Sequence, residues 1–443
     1  MKLTLSTRKC WAGLASIGMV ILSTQAWSGS SSANMGTSTT MGPTSSSFSL
    51  HGAFNNPAMN PLLVNTDESF RMSYFPNISY NMELGDLDNF TEDLDDLINL
   101  IDNPADNVDS ASDTLDRFND VVKLMGEQGY LKINVGIDAP LLPLIYKSDF
   151  LGGAIGFGAK TGVQIGMSVL DDNLGISTQG GGIETNTSLY LKSGLETTLS
   201  LSYGREIFAL TDLGKLYVGA KLNLISMELS KQVVPLTTLD GKDVGDVISD
   251  TYDQNLEKAT AMGIDVGLVW AAKDYRLGLT FENINAPEFD YGSVGINCAS
   301  RGEQNDARDQ CETASFFVQN GRINSTESHI KQALMRVDAL YSITERLVVS
   351  AAYDTAEYND TIGFDNQWFN AATSYDPVHP LIPDLRIGYQ KNLAGTELSS
   401  LTAGLTLFSL VSLDLEYGLE STAVDGSELP RRFGFSFSIA ESF

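Results

Sequence analysis

The last twelve residues, Arg432 to Phe443, constrain the chain more than any other stretch. Phe433, Phe435, Phe437, Ile439 and Phe443 fall on one side of an extended backbone, and Gly434, Ser436, Ser438, Ala440 and Ser442 on the other. Period-two alternation of this kind makes a strand with one apolar and one polar face. On a soluble protein a row of exposed phenylalanines invites aggregation. A strand closing a barrel in lipid needs that row, because one face meets acyl chains and the other a wet lumen. The fold class predicted from this stretch is all-β: a transmembrane antiparallel barrel.

The same alternation recurs upstream. Leu216, Val218, Ala220, Leu222 and Leu224 oppose Lys215, Gly219, Lys221 and Asn223. Leu413, Leu415, Tyr417 and Leu419 oppose Asp414, Glu416 and Glu420, a carboxylate face that no dry core accepts. Fourteen strands are predicted near 70–82, 130–138, 152–169, 185–204, 215–231, 259–271, 275–284, 331–342, 346–357, 366–374, 384–391, 398–408, 411–420 and 432–443. Connections after odd strands read longer than those after even ones, as expected with both termini in the periplasm. The link over 139–151, with Pro140 and Pro143, is the exception. Beyond the N-terminus no apolar run reaches the about eighteen residues of a spanning helix.

Residues 1–28 read as a secretory signal. Lys2, Arg8 and Lys9 precede an apolar stretch from Cys10 to Leu22, and Ala26-Trp27-Ser28 offers small residues for cleavage. The expected location is therefore the outer membrane of a Gram-negative bacterium. Residues 29–67 are expected to form a flexible lead-in and an N-terminal plug. The stretch 29–47 is Ser, Thr, Gly and Met with little else, a composition that buries no apolar core. Pro57 and Pro61 then forbid a regular helix or central strand. The barrel is expected over 68–443, with two insertions. Between Gly85 and Gln128 lie thirteen acidic residues and two basic ones. Leu94, Leu97, Ile98 and Ile101, and again Leu115, Phe118, Val122 and Met125, keep helical spacing there. An acidic helical hairpin broken at Asn103-Pro104 is predicted, as a solvated cap whose apolar stripes pack on each other. Over 285–330, Cys298 and Cys311 are expected to staple a polar loop with a disulfide.

The formal net charge of −28 argues against a nucleic-acid partner. His51, His329 and His379 lack nucleophile or metal-ligand spacing around them and read as structural or solvent-facing. Gly152 to Gly158 holds a run of glycines but no following Lys-Ser/Thr, so it reads as strand rather than phosphate loop. No enzyme, metal or cofactor is expected. Opposed lumen charges, Lys221, Arg276 and Arg386 against Glu282, Asp414 and Glu416, are expected to pair across strands.

The triplet Asn56-Pro57-Ala58, just before the first strand, resembles the family of FadL-like long-chain fatty-acid transporters. The whole plan resembles the TraF-type family of outer-membrane proteins named after plasmid-transfer operons. Terminal Phe443 resembles the assembly signal of bacterial outer-membrane proteins, although Glu441 departs from it. The resemblance implies passive transport of a hydrophobic small molecule, with Asn56, Pro57 and Ala58 holding the bend of the plug. Phe48, Leu50, Phe54, Met59, Leu62 and Leu63 would be its apolar ligand contacts, or would simply wedge the plug into the barrel. The implied partners are outer-membrane lipid, lipopolysaccharide and the barrel-assembly machinery. The alternative is a sealed barrel that docks a conjugation or secretion partner through its loops, for which the acidic hairpin speaks.

Overall fold

The computed structural model describes residues 36–46, 50–65, 67–102, 111–176, 183–210, 213–239, 255–302, 305–377, 382–408, 410–424 and 426–442 of the 443. The signal-like segment, Phe48, Asn103-Pro104, His379 and Phe443 lie outside them.

One closed antiparallel sheet forms the barrel. Its strands are β1 (Phe70–Leu84), β2 (Tyr130–Asp138), β3 (Leu144–Ser148), β4 (Gly153–Leu170), β5 (Ser188–Leu210), β6 (Gly214–Pro235), β7 (Leu256–Ala271) and β8 (Tyr275–Glu282). They continue as β9 (Leu334–Ser342), β10 (Leu347–Asp354), β11 (Trp368–Tyr375), β12 (Asp384–Asn392), β13 (Ser399–Leu407), β14 (Val411–Gly418) and β15 (Arg432–Ser442). Each pairs with its neighbour, and β15 closes on β1 from Arg71↔Ser442 to Glu83↔Arg432. Closure leaves no long edge to template aggregation.

Fifteen strands fill fourteen wall positions, because β2 and β3 share one. β2 pairs with β1 and with β4 as far as Asp138↔Lys160. The chain then leaves the wall and returns as β3, pairing Leu144↔Phe157 on β4 and Leu144↔Met72 on β1. The long link expected over 139–151 is therefore an interruption inside a strand, and the true turn is the short 3₁₀ segment Asp149–Leu151. Proline cannot donate to a ladder, and Pro140 and Pro143 stand where the ladder stops. With that correction, longer and shorter connections alternate as expected, save that 376–383 after β11 is longer than 393–398 after β12.

The barrel is inverted relative to a soluble core. Leu222, Leu277, Leu415 and Tyr417 are exposed outside, while Lys221, Asp414, Glu416 and Ser436 are buried inside. Lumen charges pair across strands: Lys221–Asp265 (3.1 Å), Arg386–Asp414 (3.0 Å) and Arg336–Glu282 (2.6 Å), with Arg432 joining Glu83 (2.8 Å) and Glu416.

At the end with long connections, helices Phe90–Asp102 and Ala111–Gln128 form the acidic insertion. Leu94, Leu97, Val122 and Met125 pack on Leu131, Met167, Val169 and Leu189 as well as on each other. The apolar stripes therefore clamp the hairpin to the barrel rim. The Cys298–Cys311 disulfide forms, with Cα atoms 5.4 Å apart, and joins a 3₁₀ turn to helix Asp306–Gln319. Replacing both cysteines by serine removes a constraint worth ~3 kcal/mol for a loop of this length. Proteolysis confined to 285–330, with the barrel intact, is the expected result; an unchanged digestion rate would show that the loop's apolar packing alone holds it.

Candidate functional site

The plug begins earlier than its composition suggests. Residues 36–46 are buried inside the lumen rather than forming a flexible lead-in. The Thr39 hydroxyl donates to Ser436 Oγ (2.9 Å), the Ser436 hydroxyl donates to Gly36 O (2.9 Å), and the Ser45 N–H donates to Asp338 Oδ1 (2.7 Å). A Ser/Thr/Gly segment buries no apolar core, but against a polar lumen its hydroxyls find partners.

Asn56, Pro57 and Ala58 make a tight turn. The Asn56 side chain caps the 3₁₀ turn Pro57–Met59 by accepting from the Ala58 N–H (3.0 Å), and its Nδ2 donates to Leu268 O (3.2 Å). The turn presses on three glycines that neighbour one another across β5, β6 and β7: Gly204↔Gly219 and Gly219↔Gly267. A Cβ on Gly204 would stand 2.3 Å from Pro57 O, one on Gly219 2.4 Å from Pro57 C, and one on Gly267 2.0 Å from Asn56 Oδ1. The row is thus a notch that receives the turn.

Of the apolar plug residues, Leu50, Phe54, Met59 and Leu63 are buried together with Ile145, Ala154, Tyr217 and Val269, and Leu62 packs at the margin. Most of this cluster is wedged against the wall. Among these described residues Phe54 is the one that lines the cavity between plug and loop, with its ring over Gly156 and Gly158 and the Lys221 ammonium 5.7 Å from its centroid.

Above the plug, the connection 355–367 turns into the barrel. Asp360 meets Lys132 at 2.6 Å, both side chains fully buried or nearly so. Thr361 N–H donates to Gln164 Oε1 (3.0 Å), and Tyr291 Oη donates to Thr361 O. Gly166 and Gly194 make room: a Cβ there would come within 2.9 Å of Ile362 and 2.1 Å of Thr361.

Between plug and loop lies a cavity of about 160 Å³. Its wall carries Lys160, Glu196, Lys221, Asp265, Lys331 and Arg336, with apolar surface from Phe54, Pro143, Ile225 and Leu334. Asp138, Pro143, Gly158 and Ala159 also line it, so it sits directly behind the interruption between β2 and β3. On the other side of that gap β1 shifts register twice, between Ser73 and Phe75 and between Phe75 and Ile78.

Two histidines that read as ordinary face this space. His51 Nδ1 lies 2.7 Å from Asp138 Oδ2. His329 belongs to the hairpin that pairs Glu288–Asp290 with Ser328–Ile330, outside the barrel wall. Burial pushes its pKa down to about 4, helped by Lys331 and opposed by Glu196 and Asp360. A pKa lowered in the folded state means that the unfolded chain takes up a proton first. His329 therefore costs no stability above pH ~6.5 and subtracts from it as pH falls from there to about 4. Acid melts should flatten in that window for His329→Gln; equal slopes in both proteins would remove the histidine from the account.

Apolar outside, polar inside, closed and filled at both levels, the chain is a transmembrane β-barrel of the outer-membrane class, with a plug and an inward-folded loop. The family model described as F plasmid transfer operon, TraF, protein matches residues 53–376, and the chain belongs to that family. No curated protein sequence matches the chain. Solved structures that align with it include the TodX deltaS2S3 mutant monoaromatic hydrocarbon channel, at 11% identity over 92% of this chain and 99% of that one (TM-score 0.45). The Pseudomonas putida toluene transporter TodX aligns at 13% identity over 95% and 100% (0.41), and a Pseudomonas aeruginosa FadL homologue at 13% over 93% and 98% (0.42).

Proposed function

We propose that the protein is a passive outer-membrane channel for a small molecule with an apolar body and a polar group. The observation that carries this reading is the cavity, bordered by plug residues below, the loop above and the wall interruption at its side. Phe54, Pro143, Ile225 and Leu334 offer it apolar surface, and the paired charges offer hydrogen bonds. The solute would rest there until a closure moves. Asn56, Pro57 and Ala58 would fix the plug's position, and the buried apolar plug residues would hold it in the wall.

Uptake of a small apolar alcohol into proteoliposomes tests this, with the wild type and a variant relieved of both closures, Gly219→Val with Asp360→Asn. Flux in the relieved variant, and slower flux in the wild type, is the expected result. No flux above empty liposomes in either protein would end the reading.

The second reading, a docking surface for a transfer partner, is favoured by the family and by the hairpin clamped over the rim. Glu92, Asp96, Asp116 and Asp120 are exposed on that hairpin. Neutralising all four should release a docked partner and leave flux unchanged. Deleting the hairpin would be a poorer test, since it would bare Leu131, Met167 and Leu189.

A further inference from the structure

A second group of charges lies beyond the cavity, toward the mouth of the barrel. Lys192 on β5 and Lys231 on β6 are direct cross-strand partners. Lys231 shares the lumen face with Lys221, ten residues back along β6. On the outer face nearby, Glu228 pairs with Lys258 (3.0 Å), whose side chain is 63% exposed, so this part of the wall stands clear of the hydrocarbon.

Like charges placed directly opposite each other destabilise a sheet. Among the described residues their ion-pair partner is one carboxylate, Glu327, carried by the disulfide-bearing loop. Glu327 Oε1 accepts from the Lys192 ammonium, and Oε2 lies 3.7 Å from that of Lys231. Lys231 is fully buried and also donates to Asn324 O of the same loop (2.8 Å). Both ammoniums lie over the Tyr291 ring, 5.2 and 6.0 Å from its centroid. Two cations thus share one anion. Burial pushes Lys231 down to about 8, with Glu327 opposing the fall and Lys192 adding to it.

We propose that Lys192 and Lys231 form a binding site for a small carboxylate, which Glu327 fills as a tethered occupant. The resident group names the class, since one carboxylate offers one oxygen to each ammonium. A free carboxylate that takes the place of Glu327 releases the loop from the wall. The release reaches inward as well. Tyr291 Oη donates to Thr361 O, and a Cβ on Gly363 would stand 3.3 Å from Lys192 Nζ. The disulfide-bearing loop and the connection 355–367 therefore meet at this site, where a solute outside can act on both.

The use of such a gate rests on the channel reading, but Lys192, Lys231, Tyr291 and Glu327 are not among the residues lining the cavity, and the test needs no flux. Glu327→Ala removes a CH₂–COO⁻ unit, which acetate replaces almost atom for atom and acetamide copies without the charge. Full-length barrel in detergent is digested at constant ionic strength, and cutting within 285–330 is followed. Glu327→Ala should be cut at least about tenfold faster than the wild type, and acetate should restore resistance at a concentration at least about tenfold below that of acetamide. Adding Lys231→Met should abolish the advantage of acetate. If that variant loses its heat-modifiable mobility, Lys192→Met on the neighbouring strand serves in its place. In the wild type acetate should act in the opposite direction. It competes there with a tethered group, whose effective concentration is about millimolar on a flexible linker, and above that level cutting should speed up. Four results would overturn the site: Glu327→Ala as resistant as the wild type, equal rescue by acetate and acetamide, rescue undiminished without the lysine, or a wild type that acetate leaves closed.

Discussion

Replacing Gly219 by valine should drive the plug off the wall while the barrel still folds. The new side chain points into the notch, where its Cβ would lie 2.4 Å from Pro57 C and 2.5 Å from the Ala58 nitrogen. Those are backbone atoms of a capped turn, so no rotamer change relieves the clash. Valine is itself a good strand residue, so the wall has little reason to object. Overpacking of this kind costs ~1–3 kcal/mol, about a 5- to 150-fold change in occupancy of the seated state. A cysteine at Ser202, buried and bonded to Asn60 Nδ2 (2.8 Å) in the seated plug, reports the change. Its labelling by a bulky maleimide should accelerate within that range in Gly219→Val. It should stay slow in Leu222→Val, which alters the lipid face of the same strand. Slow labelling in both variants would mean that the turn can shift within the notch.

The second large effect is expected at the upper closure. Lys132 and Asp360 meet at 2.6 Å with side chains 5% and 0% exposed. Removing one partner of a buried pair leaves an uncompensated charge, at a cost of ~3–5 kcal/mol. Lys132→Met should therefore expel the loop 355–367, and protease should cut there while the wild type resists. Asp360→Leu combined with Lys132→Met removes both charges, and the loop should return toward its seat because Ile362 still packs against Gly166. A double variant that is cut faster than Lys132→Met would show that the loop is held by something other than this pair.

Much of the barrel was legible because a strand in lipid writes its two faces in alternation. Leu413, Leu415 and Tyr417 against Asp414 and Glu416 needed no structure to be placed. The helical stripes of the acidic insertion were legible for the same reason, although not their second surface on the rim. The lumen was harder. Sequence rules treat Ser/Thr/Gly tracts as unable to fold because they assume an apolar core, and residues 36–46 escape that rule by packing on Asp338, Asp414 and Ser436. The prolines at 140 and 143 signalled a broken ladder, but not that residues 144–148 rejoin the wall beyond it. Gly204, Gly219 and Gly267 are far apart in the chain, and strand register alone aligns them. His51 carries no motif at all, and only the seating of the plug brings it to Asp138 on the wall.

The plug and the loop stand one behind the other, which changes how often the envelope leaks. A minor open state of a small element is commonly populated at about 0.1–10%. With one door, a detergent or antibiotic would find the barrel open for that whole fraction of time. With two independent doors in line the fractions multiply, so two states each open about 1% of the time coincide about 0.01% of the time. On the channel reading the arrangement would work as an airlock: either element could loosen to admit or release a solute while the other keeps the membrane sealed.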